Sequence, residues 1–350
     1  MVRHPHHDPD GGARAGRSRR LLSRHLALAV LFAVFASAAA AASPLPDRPF
    51  LAYLASWYEP AVEGDGSKAA MTRLAGQVDL LALAFARPDA LYPPGGELAG
   101  TGLQFQFPTA TLRQAVRRMK DRNPKLRVLV SVGGSAYRRW DRYDEHALAR
   151  LVRDIGADGI DLDYEPAEPG CAASGGRVAC RTDGEWTALV RRTRAVLPRP
   201  LLLTVPAWSV GAYGEGQWAD ARPRSPWTGS MLGLLRSPEA AMIDLVSIMS
   251  YDAGPDYDPI EALAAYRRVW QGPLAVGIQV LPSEIPGPRF TVAHTRALLR
   301  QAVADPRVGA MLYGFNLAPP GPVTADNPDA AMLAAEICRA LGRSGCGRSR

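Results

Sequence analysis

Residues 158–165 read Asp-Gly-Ile-Asp-Leu-Asp-Tyr-Glu. A β-strand turns residues i, i+2 and i+4 to one face. Asp161, Asp163 and Glu165 therefore share a side, and Ile160, Leu162 and Tyr164 point the other way. Three carboxyls on one face repel one another and cost free energy to desolvate. A scaffold gains nothing from that arrangement. A site that keeps one carboxylic acid protonated beside ionised neighbours does.

On both sides of this run, short apolar segments alternate with segments of helical period. The strand candidates are Phe50–Ser56, Val78–Ala86, Arg127–Val132, Gly159–Tyr164, Leu201–Pro206, Leu245–Ser250, Leu274–Val280 and Ala310–Phe315. The clearest helical patterns are Thr111–Arg122, Glu145–Ile155, Trp186–Leu197, Glu261–Trp270, Val292–Ala304 and Ala330–Leu341. Thr109 and Asp183 stand where helix starts are expected, and Pro259 sits where a missing amide donor does little harm. Eight strands alternating with helices imply a parallel sheet. Eight such units in about 290 residues fit a single-domain (β/α)8 TIM barrel. A doubly wound nucleotide fold would need a glycine-rich loop after the first strand. The residues there are Ser56-Trp57-Tyr58-Glu59-Pro60, with no glycine.

The ends of the chain read differently. Arg14, Arg17, Arg19, Arg20 and Arg24 precede an apolar run from Leu26 to Ala42 that closes on small residues. That is the pattern of a secretory signal peptide over residues 1–42; an uncleaved membrane anchor is the alternative. The expected domain plan is this leader, a catalytic barrel over 43–342 and a C-terminal tail over 343–350. The formal charge is +7, but residues 1–42 hold six Arg and two Asp, and without them the balance is +3. Such a balance does not argue for nucleic acid. Cys171, Cys180, Cys338 and Cys346 form two close pairs, which in an exported chain suggests disulfides 171–180 and 338–346. A zinc site would want a CxxC pair and nearby His ligands, and neither is present.

In barrels of this kind, reactive side chains stand at the C-terminal ends of strands. Those ends carry Trp57 and Tyr58, then Ser131-Val132-Gly133-Gly134, then the acids. They continue with Trp208, Met249-Ser250-Tyr251-Asp252, Gln279 and Tyr313. Carboxylates ringed by aromatics suit a sugar polymer: rings stack on pyranose faces, and an acid protonates a glycosidic oxygen. A calcium loop starting at Asp161 fails, because Pro166 and Ala172 stand where Gly and Glu are required. No metal or other cofactor is expected.

Asp158-x-x-Asp161-x-Asp163-x-Glu165 resembles the signature of family 18 glycoside hydrolases, the chitinases and their relatives. Ser131-x-Gly133-Gly134 and Met249-x-Tyr251-Asp252 resemble that family's motifs on the third and sixth strands. The resemblance implies a general acid/base at Glu165 and, at Asp163, a neighbour that orients the substrate's 2-acetamido group. It implies that Asp161 shares a proton with Asp163, that Tyr251 bonds the acetamido carbonyl and that Asp252 shapes the same subsite. Ser131 would bond the acid cluster from below, the paired glycines would let backbone approach the strand-4 side chains, and Asp158 would close the entry turn. The acetamide oxygen itself would attack the anomeric carbon, giving an oxazolinium ion with retention.

Two departures from the family stand out. Tyr313 occupies the place where the family usually has a Trp flooring the cleaved-sugar subsite. The stretch from Leu281 to Phe290 is too short for the α+β module of exo-acting relatives, which suggests an open groove and endo-type cleavage. Met249, Tyr313, Trp57, Trp208 and Gln279 are expected to line the sugar site; Trp208, Trp218 and Trp227 each read equally as packing. The expectation is thus a secreted or periplasmic monomer that cleaves chitin or N-acetylglucosamine oligosaccharides, without stable membrane association once the leader is gone. The rivals are an endo-β-N-acetylglucosaminidase or peptidoglycan hydrolase, against which Tyr164 before the acid speaks, and a non-catalytic chitin-binding lectin.

Overall fold

The computed structural model describes residues 45–73, 75–280 and 289–347. The leader expected over 1–42 and most of the 281–290 stretch lie outside them. Eight parallel strands close into a barrel: β1 (Phe50–Ala55), β2 (Leu80–Ala86), β3 (Arg127–Gly133), β4 (Gly159–Asp163), β7 (Leu202–Trp208), β8 (Leu245–Met249), β9 (Leu274–Gln279) and β10 (Val308–Tyr313). Each follows its predecessor around the ring, and β10 returns to β1. The remaining two strands, β5 (Cys171–Ser174) and β6 (Arg177–Cys180), form an antiparallel hairpin after β4. This is the (β/α)8 TIM barrel that the alternating pattern predicts. β9 ends at Gln279 and the next helix begins at Val292, which leaves no room for an extra module.

The outer layer is α1 (Thr109–Arg122), α2 (Glu145–Ile155), α3 (Asp183–Val196), α4 (Leu232–Arg236), α5 (Pro259–Val269), α6 (Val292–Ala302) and α7 (Ala330–Ala340). α2 shows how sequence sets such an element. Asp144 caps it by accepting from the Ala147 amide at 2.8 Å, and Gly156 ends it at φ +73°, a conformation that only glycine adopts cheaply. Between them Leu148, Leu151, Val152 and Ile155 recur at helical spacing and are buried. Two expected starts move. Thr109 is the first residue of α1, and Glu97 takes up its amide at 3.0 Å. Asp183 is the first residue of α3 and accepts from the Cys180 amide. Between β1 and β2 the described residues form only 3-10 turns. Pro60, Gly64, Gly66 and Gly76 in that segment disfavour a continuous helix.

Alternation along the strands separates two cores. Leu51, Tyr53, Leu80, Ala82, Leu129, Leu202, Leu245, Ala275 and Met311 fill the barrel's interior. Ile160, Leu162 and Tyr164 belong to the layer between barrel and helices. Both disulfides are formed, Cys171–Cys180 across the hairpin and Cys338–Cys346 behind α7. Beyond the barrel's expected end at 342, Arg343 is tied to the Asp79 carboxylate and to the carbonyl oxygens of Gln77 and Arg48.

Candidate active site

β4 carries the acids, and its neighbours decide what each acid meets. The register sets Ser131 of β3 and Thr204 of β7 directly beside Asp161. Both donate to it, Ser131 Oγ to Oδ2 at 2.8 Å and Thr204 Oγ1 to Oδ1 at 2.5 Å. Tyr53, from β1, adds its hydroxyl to Oδ2 at 2.8 Å. Three hydroxyl donors favour the charged form of Asp161, whereas complete burial raises its pKa, and burial is the larger effect.

Asp163 has no such collar. It is 3% exposed, and its Oδ1 lies buried without a hydrogen-bond partner. Burial pushes its pKa well up, and the charges of Glu165 and Asp161 push the same way. Asp161 is engaged by hydroxyls, and Asp163 is the carboxyl on which a charge is least tolerated. Glu165 stands one step further out and is partly open to solvent. Its charge acts on Asp163 and also on Tyr251, whose phenol is raised by burial and then by Tyr313, Asp163, Glu165 and Asp252. Asp161, Asp163, Glu165, Tyr251, Asp252 and Tyr313 are thus gathered at one mouth.

The glycines act on backbone rather than on side chains. Gly133 has φ +107°, and a Cβ there would lie 2.2 Å from the carbonyl oxygen of Asp163. The Gly134 amide donates to that same oxygen at 2.9 Å. The close approach fixes the main chain that carries Asp163, where an approach to the acid side chains was expected. Asp158, off the inward parity, lies at the strand's other end. It accepts from the Val128 amide at 2.7 Å and pairs with Lys120.

Rings surround the acids. Tyr251 stacks on Tyr313 with centroids 5.6 Å apart, and Tyr313 lies 6.2 Å from Tyr53. Met249 and Tyr251 pack on the interior cluster, and Gln279 is buried at the end of β9. Trp57 stacks on Phe85 at 6.1 Å. Trp208 stacks on Trp227 at 4.2 Å, and both are half-buried. Trp218 is buried with the Arg268 guanidinium over its ring, so it packs. Sequence reasoning missed Tyr53 and Thr204. The signal for Tyr53 is its inward parity on β1, and that for Thr204 is its place on β7 opposite Asp161. Among the described residues, no group of three or more His, Cys, Asp or Glu is set to hold a metal.

No family model matches the sequence, and no curated protein matches it. Solved structures do resemble the fold. A family 18 chitinase from Chromobacterium violaceum aligns at TM-score 0.59 and 14% identity, over 85% of each chain. One from Pseudoalteromonas aurantia aligns at 0.57 and 16%, over 84% of this chain and all of that one. Human YKL-39, a pseudo-chitinase with retained chitooligosaccharide binding, aligns at 0.57 and 13%, over 84% of this chain and all of its own. The chain therefore has the barrel fold of the family 18 chitinases and chitinase-like proteins, at low sequence identity to them.

Proposed function

We propose that the protein is a secreted, monomeric, retaining glycoside hydrolase that cleaves β-1,4-linked N-acetylglucosamine polymers in an endo fashion, and that Glu165 is its general acid/base. The observation that carries this reading is geometric: β4 delivers Asp161 into three hydroxyl donors and holds Asp163 buried with an unpartnered Oδ1, just ahead of the part-open Glu165. Glu165 donates its proton to the glycosidic oxygen as the bond from that oxygen to C1 breaks. The substrate's acetamide oxygen closes on C1, and Asp163 and Tyr251 hold the acetamido group through the oxazolinium stage. Water then attacks C1 and gives its proton to Glu165, which restores the starting state. The two disulfides suit an oxidising compartment.

A binding-only role is the second reading, favoured by the YKL-39 likeness; the presence of Glu165 argues against it. Tyr164, which distinguished the glycoprotein-directed branch in sequence, packs outward. It donates to Glu185 and meets Trp140 and Trp186 edge-on. It therefore says little about substrate. The test is product analysis with chitin oligosaccharides and, separately, a glycoprotein, for wild type and Glu165→Gln. The substitution is expected to lower turnover of the oligosaccharides at least ~100-fold. Near-full activity in the variant refutes the assignment.

A further inference from the structure

The end of the barrel away from the acids holds a cavity of about 1050 Å³. Its wall is chain that enters the strands: residues ahead of β1 and β2 and at the start of β3, joined by the loop after α7. Four cations, Arg48, Lys125, Arg127 and Arg343, line it with two carboxylates, Asp47 and Asp79. Asp79 is already engaged, by the Phe50 amide at 2.8 Å and by Arg343, and Asp47 is exposed. Among the described residues, no carboxylate pairs with Arg48, Lys125 or Arg127.

The main chain that presents these three cations is fixed. Asn123 donates through Nδ2 to the Val78 carbonyl at 3.0 Å and accepts from the Lys125 amide on Oδ1 at 3.3 Å. Its carbonyl accepts from the Leu126 amide at 2.9 Å, and Pro124 stiffens the turn between them. The Arg127 amide donates to the Asp79 carbonyl at 2.8 Å. Its guanidinium touches only carbonyls, those of Pro124 and Leu126, through Nη1 at 3.5 and 3.4 Å. Ahead of β1, the Arg48 carbonyl accepts from Arg343 at 3.0 Å, and that of Pro49 accepts from the Ala310 amide at 2.9 Å. The Cys338–Cys346 disulfide closes the loop that carries Arg343. Unpaired like charges on fixed backbone repel, and an anion among them removes that cost. Cations arriving from separate segments suit a phosphate, whose three acceptor oxygens diverge, better than a carboxylate, which offers two in one plane. The run from Arg113 to Arg127 holds seven Lys and Arg against one acid, Asp121, and such a field draws anions to this end.

We propose that this cavity is a binding site for a phosphate-bearing ligand with two or more negative charges, held by Arg48, Lys125 and Arg127. It lies at the opposite end of the strands from the acids, so it stands or falls apart from the hydrolase reading. The test is calorimetric titration of the protein with tripolyphosphate at about 0.15 M salt, where diffuse surface attraction is screened. Citrate is the carboxylate control. Tripolyphosphate is expected to bind one to one, and citrate about tenfold more weakly. Lys125→Gln combined with Arg127→Gln is expected to weaken tripolyphosphate about tenfold or more, through loss of two charge-assisted hydrogen bonds. Arg48→Gln alters a different segment and is expected to cost about fivefold; it decides the matter if thermal melts show the double variant unfolded. Arg117→Gln combined with Arg118→Gln removes the same charge from exposed positions outside the cavity wall and is expected to stay within about threefold. No binding by the wild type overturns the site. So does an equal loss in the Arg117 and Arg118 variant, which assigns the attraction to net charge. Citrate binding as tightly as tripolyphosphate overturns the choice of phosphate.

Discussion

Asp163→Asn should make the protein more stable at neutral pH while it removes activity. Asp163 is nearly sealed from solvent and one of its oxygens has no donor. Burial and two neighbouring carboxylates raise its folded-state pKa above the unfolded one. Below the unfolded value the group is protonated in both states and costs nothing. As pH rises through the folded value the folded state must carry the charge, and stability falls. An unpaired buried polar atom costs about 1–3 kcal/mol, more when charged. Asparagine is neutral at every pH and has an amide to offer Asp161. A gain of about 1–3 kcal/mol at pH 7 follows. At roughly 2 °C per kcal/mol for a domain this large, the midpoint should rise by about 2–6 °C. The assay is a series of thermal melts of both proteins from pH 4 to pH 8. The difference should be largest at the alkaline end and close toward pH 4. A variant no more stable than wild type at pH 7, or a difference that widens as pH falls, refutes the argument.

Tyr53→Phe deletes one of three donors to Asp161 without changing shape. A hydrogen bond to a charged group contributes about 1.5–3 kcal/mol, so Asp161 becomes harder to ionise and the acid limb of the pH–rate profile should move to higher pH; an unmoved limb refutes the role of Tyr53. Tyr313→Trp enlarges a half-open ring that stacks on Tyr251, and turnover of oligosaccharides should be equal or better. A steep fall in kcat would show that the pocket is shaped around tyrosine.

The barrel was legible because its signal is local. Each strand is a short apolar run, and the acids betray their face by period two. What stayed hidden depends on register between distant segments. Thr204 reaches Asp161 because β7 lies beside β4, although the hairpin and α3 separate them in sequence. Tyr53 reaches it from across the interior, 108 residues away. The motif at 131–134 was legible, but its physical role was not. Only the positive φ of Gly133 and its closeness to the Asp163 carbonyl show that the glycines hold main chain. Tyr164 points outward as its parity predicts, but only the structure shows Trp140 and Trp186 meeting its ring edge-on.

The acids at the mouth depend on register set at the barrel's other end. A slip of one residue would turn Asp161 and Asp163 outward and Ile160 and Leu162 inward. Three aspartates oppose such slips by the same device. Asp79, ahead of β2, accepts from the Phe50 amide of β1 at 2.8 Å. Asp158, ahead of β4, accepts from the Val128 amide of β3 at 2.7 Å. Asp244, ahead of β8, accepts from the Leu203 amide of β7 at 2.9 Å. Each also donates its own amide to the carbonyl of that same residue, at 3.0, 2.6 and 2.8 Å. Each is anchored by a cation: Arg343 for Asp79, Lys120 for Asp158, and Arg194 with Arg199 for Asp244. Strands β1 and β2, β3 and β4, and β7 and β8 are thereby pinned in pairs. Those six strands hold Tyr53, Ser131, Asp161, Asp163 and Thr204, and Glu165 and Tyr251 follow directly from two of them. The repulsion stored among the carboxyls is borne by contacts made at the far end of the same strands.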